Sequence, residues 1–203
     1  MQLIFQDGSR ATLNAETRIK YPRKFGFSER KVELEGEAFF EVSPNKDRPF
    51  IVDMKDVNVK VLGTTFDVKA YATDPDIFVT LETGKVVLAN NSSSLAHMKP
   101  GEKATYNRKS GVCKISRPEN IEHTSAWKNN QIIFNNTPLS EVIATLSRWY
   151  NVEFTIADSS VLYYNYTLTS TDQDIKQIFK DLEKITPVQF IEEEGIIRIE
   201  RKK

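Results

Sequence analysis

Leu139-Ser140-Glu141-Val142-Ile143-Ala144-Thr145-Leu146-Ser147-Arg148-Trp149-Tyr150-Asn151-Val152-Glu153-Phe154 and Ile175-Lys176-Gln177-Ile178-Phe179-Lys180-Asp181-Leu182-Glu183-Lys184-Ile185-Thr186-Pro187-Val188-Gln189-Phe190 carry one pattern twice, 36 positions apart. The first has apolar residues at Leu139, Val142, Ile143, Leu146 and Trp149, then at Val152 and Phe154. The second has them at Ile175, Ile178, Phe179, Leu182 and Ile185, then at Val188 and Phe190. Spacing of i, i+3, i+4, i+7 and i+10 marks one face of a helix, and the alternation that follows marks a half-buried strand. A helix with one apolar stripe needs a sheet or a second helix over it, so the duplication predicts two helix-then-strand units sharing one small sheet.

The ends of the helices carry their own signals. Thr137-Pro138 predicts a capping hydroxyl ahead of a proline at the first helical position, and Thr171-Asp172-Gln173-Asp174 predicts a capping box with Asp in place of Glu. Asn151 and Pro187 mark the stops. Candidate strands at 131–134 and 164–170 precede the helices, which makes each unit strand, helix, strand. Glu194-Gly195 then turns the last strand back as 196–200.

Over 203 residues, Lys plus Arg and Asp plus Glu balance at 28 each, so no broad basic surface draws the chain to nucleic acid. No apolar stretch approaches the roughly 20 residues a membrane span needs. Leu3-Ile4-Phe5 is strand-like from the start and Asp7-Gly8 is already a turn, which predicts a fragment whose upstream part, with any targeting or membrane segment, lies outside this chain. The single cysteine, Cys113, cannot form an internal disulfide, and its neighbours Val112 and Ile115 suit ordinary burial.

Residues 1–118 show no helical period. Short β-rich segments recur between turn residues at 11–13, 18–21, 31–34, 38–42, 50–53, 57–61, 66–71, 77–81, 85–88 and 103–106, as in a sandwich, barrel or solenoid. Val57, Val59 and Val61 are odd, whereas Thr64, Phe66, Val68 and Ala70 are even. The inward parity therefore changes across Leu62-Gly63, either at a bulge or corner at Gly63 or at a turn between two strands. Asn90-Asn91-Ser92-Ser93-Ser94 reads as an exposed loop tip. The fold expected is a mainly β N-terminal domain over 1–118, solenoid-like or sandwich, a linker over 119–126, and a small α+β domain of two β-α-β repeats over 127–203. Trp127, at the junction, suits an apolar plug between the two.

Chemistry is sparse. His97 and His123 are isolated and lack metal-ligand spacing, and phosphate loops and nucleophile elbows are absent. Glu192-Glu193-Glu194 reads as a hairpin turn, and Glu33, Glu35, Glu37 and Glu41 as the wet face of a strand. Asn91-Ser92-Ser93, Asn135-Asn136-Thr137 and Asn165-Tyr166-Thr167 match the glycosylation sequon, a short pattern that an Asn-rich chain meets by chance. No catalytic residue, cofactor site or metal site is expected, so binding is favoured over turnover. Tyr163, Tyr164 and Tyr166, at the start of a strand, are the expected partner-binding residues; filling the domain's own core edge is the competing role, and at least one must face away from Leu168.

Several stretches in order resemble a known family. Val32-Glu33-Leu34-Glu35-Gly36-Glu37-Ala38-Phe39-Phe40-Glu41-Val42, Pro49-Phe50-Ile51-Val52, Val61-Leu62-Gly63-Thr64-Thr65-Phe66-Asp67-Val68, Val79-Thr80-Leu81-Glu82-Thr83-Gly84-Lys85-Val86 and Leu95 with Lys99-Pro100-Gly101-Glu102 are similar to the periplasmic domain of FecR-type anti-sigma factors, the iron-dicitrate sensors. From Trp127 through Phe134-Asn135-Asn136-Thr137-Pro138-Leu139 and Arg148-Trp149-Tyr150, the chain resembles the extra domain of Bacteroides-type members, which looks like the secretin and TonB N-terminal module. The resemblance implies the periplasmic region of a single-pass inner-membrane protein whose sigma-binding segment and transmembrane helix are absent from this chain. The implied partner is the N-terminal signalling domain of a TonB-dependent outer-membrane transporter. The alternative expectation is a carbohydrate-binding or carbohydrate-processing periplasmic β domain, marked by aromatics and carboxylates converging in a pocket.

Overall fold

In the computed structural model, which describes residues 1–90, 93–171 and 174–202, the chain divides into two units, Met1–Ser125 and Ala126–Lys203. The first is built from β1 (Gln2–Ile4), β2 (Arg10–Leu13), β3 (Arg18–Lys20), β4 (Arg30–Glu41), β5 (Phe50–Asp53), β6 (Asn58–Val61), β7 (Thr65–Ala70), β8 (Asp76–Thr83), β9 (Val86–Ala89), β10 (Ser94–Met98), β11 (Lys103–Asn107) and β12 (Cys113–Ser116).

The strand β4 organises this unit. Its even-numbered residues, Val32, Leu34, Ala38 and Phe40, are all buried, alternating with wetter odd positions as far as Glu35; beyond it Glu37, expected on the wet face, and Phe39 are buried as well. The segments 31–34 and 38–42, expected as two strands, are therefore one strand that bends at Gly36. The first half of β4 pairs with β3 and, in parallel, with β5; the second half pairs with β2 and β7. Two sheets result, β1-β2-β4-β7-β8-β11-β12 and β3-β4-β5-β6-β9-β10, joined at β4 around one apolar core. The unit is mainly β as expected, and β10 lies beside β11 and β12, so the sheets, continuous through β4, nearly close into a barrel.

Two glycines permit these corners. Gly36 has φ of 122°, and a Cβ there would lie 2.6 Å from Thr17, whose Oγ1 donates to the Glu37 carbonyl (3.0 Å) and accepts from the Glu37 N–H (2.9 Å). Gly63 would bring a Cβ within 2.7 Å of Pro44, and the chain there leaves one sheet for the other, β6 to β7. The parity change across Leu62-Gly63 is thus a turn between strands of different sheets.

The core also encloses a charge. Arg30 is fully buried: its Nη1 donates to Asp7 Oδ2 (2.7 Å) and the Ser43 carbonyl (2.9 Å), its Nε donates to the Arg48 carbonyl (2.9 Å), and its guanidinium lies 5.6 Å from the Phe50 ring centre. Burial opposes ionisation of Asp7, but hydrogen bonds from Arg30 and Ser9 outweigh it and hold the carboxyl below its usual range.

A 3-10 helix, Ile121–Asn129, occupies most of the expected linker 119–126 and contains Trp127. The second unit continues with β13 (Ile132–Pro138), α1 (Leu139–Tyr150), β14 (Glu153–Ile156), a 3-10 helix at Ser159–Tyr163, β15 (Asn165–Ser170), α2 (Ile175–Ile185), β16 (Val188–Glu193) and β17 (Ile196–Arg201). The two strand, helix, strand units are present, but they do not share one sheet. Their first strands pair with each other, β13 antiparallel to β15, and their second strands flank β17 in the order β14-β17-β16. The helices bury Leu139, Val142 and Leu146 from α1, and Ile178, Phe179 and Leu182 from α2. Phe179 stacks on Phe190 at 4.7 Å and meets Phe154 edge-on at 6.0 Å, tying α2 to β16 and β14. Ile185, expected on the apolar face, is exposed.

The start of α1 differs from expectation. Pro138 itself holds the capping position with no side-chain cap, the Leu139 N–H donates to the Tyr164 carbonyl (3.0 Å), and the Thr137 hydroxyl accepts from Asn135 N–H (3.1 Å) instead. Tertiary pairing with the neighbouring chain replaces the local cap. For α2, Asp174 caps the Lys176 N–H (2.9 Å); Asp172 and Gln173 of the expected capping box lie outside the described residues, as do Asn91 and Ser92 of the expected loop tip.

Candidate partner-binding edge

The three-stranded sheet of the second unit has two unlike edges. At one, the Phe190 N–H of β16 points away from β17 and donates to Glu183 Oε1 of α2 (2.8 Å). Glu183 is itself held by Lys202, whose ammonium donates to the Glu183 carbonyl (2.8 Å) and lies 3.6 Å from its carboxylate. A carboxylate thus fills the place that a neighbouring strand's carbonyl would take.

At the other edge, β14 runs parallel to β17, and just beyond it the Ala157 N–H donates to the Ile199 carbonyl (2.9 Å). Backbone polar groups alternate in direction along a strand, so the N–H groups of Phe154 and Ile156 point away from β17. Neither meets an acceptor among the described residues. Glu153, Thr155 and Ile156 are exposed, and Ile156 keeps 41% of its surface in water. From here the chain enters the 3-10 helix Ser159–Tyr163, started by Asp158, whose carboxylate accepts from the Ser160 N–H (2.9 Å). That hydrogen bond holds the Asp158 carboxyl below its usual range. This short helix rests on α1 and β17 and presents Leu162 and Tyr163 to solvent, Tyr163 at 89%.

The three expected partner-binding tyrosines therefore separate. Tyr163 is exposed, next to the open edge in sequence. Tyr164 is half-buried against the unit's core. Tyr166 is fully enclosed, its hydroxyl sharing a hydrogen bond with Thr186 Oγ1 (2.7 Å), and burial pushes its phenol up. Tyr166 is a core residue and not a surface contact, because its parity in β15 matches that of Leu168. Tyr163, expected at the start of a strand, ends the 3-10 helix Ser159–Tyr163 instead and lies outside β15.

Elsewhere, Glu194 and Gly195, with φ of 52° and 85°, make the expected hairpin turn. Glu192 pairs with Lys176 (2.9 Å) and Glu193 with Arg198 (3.0 Å), so two of the run's three acids are held in ion pairs and Glu194 is exposed at the turn. Among the described residues no three of His, Cys, Asp and Glu converge on a metal position. Cys113 packs half-buried against the core of the first unit, and burial pushes its thiol up, away from reactivity. His97 and His123 are exposed. The outward groups of β14 and the guard residue Glu183 were missed by sequence reasoning, since edge status depends on β17 entering between strands far apart in the chain.

The family comparisons agree with this build. Residues 1–87 match the model of the FecR protein family, and residues 131–199 match that of the FecR C-terminal region. A crystal structure of a protein from Parabacteroides distasonis ATCC 8503, assigned as an anti-sigma factor, superposes with a TM-score of 0.93 at 32% identity, covering 100% of this chain and 95% of that one. A second crystal structure, also of an anti-sigma factor so assigned in that organism, gives 0.92 at 32% identity, covering 100% and 94%. No curated protein sequence matches the chain. With both units matched and a relative of 32% identity spanning its whole length, the chain belongs to the FecR family of anti-sigma factors, which are regulators and not enzymes.

Proposed function

We propose that this chain is the periplasmic sensor region of a transmembrane anti-sigma factor, and that it receives its signal by direct contact with the N-terminal signalling domain of a TonB-dependent outer-membrane transporter. The observation that carries this reading is the inequality of the two edges: β16 is guarded by Glu183, whereas β14 offers outward N–H groups beside exposed Ile156. A strand from the partner pairs there through its backbone, and Tyr163 adds side-chain contact. Contact with an extracytoplasmic-function sigma factor falls to a cytoplasmic segment outside this chain, and membrane attachment to a helix outside it. No helix among the described residues is long and apolar enough to cross a membrane. Transporter binding signals only by favouring one state of the whole protein over another.

Calorimetric titration of the chain with that signalling domain tests the reading. A saturable one-to-one complex is expected; no heat and no comigration would overturn it. Binding of oligosaccharides in place of the domain would favour a carbohydrate-binding module.

A further inference from the structure

The loop 21–29, between β3 and β4, is a separate surface, and its reading does not depend on the transporter. Its sequence is Tyr21-Pro22-Arg23-Lys24-Phe25-Gly26-Phe27-Ser28-Glu29. Two of its aromatics are feet. Tyr21 meets Phe5 edge-on at 5.2 Å, and Phe25 packs on Phe5 and Phe50, at 5.8 Å to each. The loop then ends at Arg30, the residue fixed in the core by Asp7. Its third aromatic, Phe27, touches none of this: it is 102% exposed, flanked by Gly26 and Ser28. A large apolar side chain held wholly in water by a loop anchored on both sides is a feature that folding does not require.

The charge around it has one sign at the tip. Arg23 and Lys24 are exposed and make no ion pair among the described residues, whereas Lys20, Arg18 and Lys31 at the strand ends each face a carboxylate. The neighbouring loop 43–49 is fixed to the same strand end, its Pro49 carbonyl accepting from the Arg30 N–H (2.8 Å), and it adds Lys46 and Arg48 against Asp47. Glu29, half-buried, is the loop's one acid. We propose that the loop is a membrane-surface contact in which Phe27 enters the interfacial layer of an anionic phospholipid bilayer while Arg23 and Lys24 face its headgroups. An apolar tip preceded in the same loop by two cations that make no ion pair among the described residues matches the layering of such an interface, apolar below and anionic above. The aromatic feet fix the loop before contact, so little ordering is lost on binding. If the chain is tethered to that bilayer, even a weak contact is populated, because tethering makes it intramolecular.

Cosedimentation of the full chain with sucrose-loaded vesicles, at low ionic strength, tests this. Vesicles containing phosphatidylglycerol should retain the chain, and vesicles of phosphatidylcholine alone should not. Replacing both cations (Arg23→Gln with Lys24→Gln) should weaken partition about 25-fold, about fivefold for each charge. Phe27→Ala should weaken it several-fold. Lys114→Glu, an exposed charge change on β12, should leave it unaltered. All of these positions are exposed, so the variants keep their fold. Failure to bind either vesicle, equal binding to both, or loop variants indistinguishable from the parent would overturn the proposal, the last of these leaving Phe27 to a protein contact.

Discussion

In the larger unit one strand, β4, serves two sheets, and the charge it carries inward, Arg30, is held by Asp7 and two carbonyls, with only its Nη2 left without a hydrogen-bond partner among the described residues. In the smaller unit the repeated strand, helix, strand segments fall into separate sheets, and β14 is left with outward N–H groups unmet. Both units have apolar cores, so the contrast lies in how polar groups are satisfied. Enclosed polar groups are costly to disturb and report on stability; open ones are already hydrated, cost the fold little, and are free to recognise another chain.

The largest expected effect follows from breaking the enclosed pair. Asp7→Asn leaves the Arg30 guanidinium buried without its counter-charge and should cost about 3–5 kcal/mol in urea unfolding of the larger unit. Replacing both partners by apolar residues of similar size should recover much of that loss. The pair also sets a pH dependence. Because the folded carboxyl lies below its ordinary value of about 4, its contribution is complete above that value and fades as pH falls through the folded one. Asp7→Asn should flatten this acid limb, and an unchanged limb would assign it to other carboxylates.

Gly36→Ala comes next, at about 2–3 kcal/mol, since φ of 122° and the 2.6 Å approach to Thr17 both exclude a side chain. A near-neutral result in thermal unfolding would mean that β4 bends elsewhere. Glu183→Ala, which strips β16 of its guard, should cost about 1–2 kcal/mol in the smaller unit and raise its tendency to self-associate in sedimentation. Smallest for the fold, yet decisive for recognition, is Ile156→Pro. It removes an outward N–H that β17 does not use, so stability should change by less than about 1 kcal/mol while affinity for the signalling domain falls at least about tenfold, or about 1.4 kcal/mol. Equal affinity in the variant would place the contact away from β14.

Much of the fold was legible in the sequence where local periodicity is strong. Both helices, their following strands and the Glu194-Gly195 turn come directly from spacing and turn chemistry. The single strand β4 was also signalled, since Val32, Leu34, Ala38 and Phe40 keep one parity across Gly36, but a glycine between apolar runs reads equally as a turn. The strands β10 and β12 were missed because neither alternates: β10 has adjacent half-buried residues at Leu95 and Ala96, and β12 is exposed after Cys113. Tyr166 could have been separated from Tyr163 by parity with Leu168. The candidate edge could not have been found this way. That β14 is open and β16 guarded depends on where β17 inserts and on which carboxylate reaches Phe190, and both are set by packing between residues distant in sequence.

The most direct test of the edge assignment is amide hydrogen exchange across the smaller unit, with and without the transporter signalling domain. New protection is expected at the Phe154 and Ile156 amides, with the Phe190 amide unchanged. Protection confined to other elements, or none at saturating partner, would contradict it.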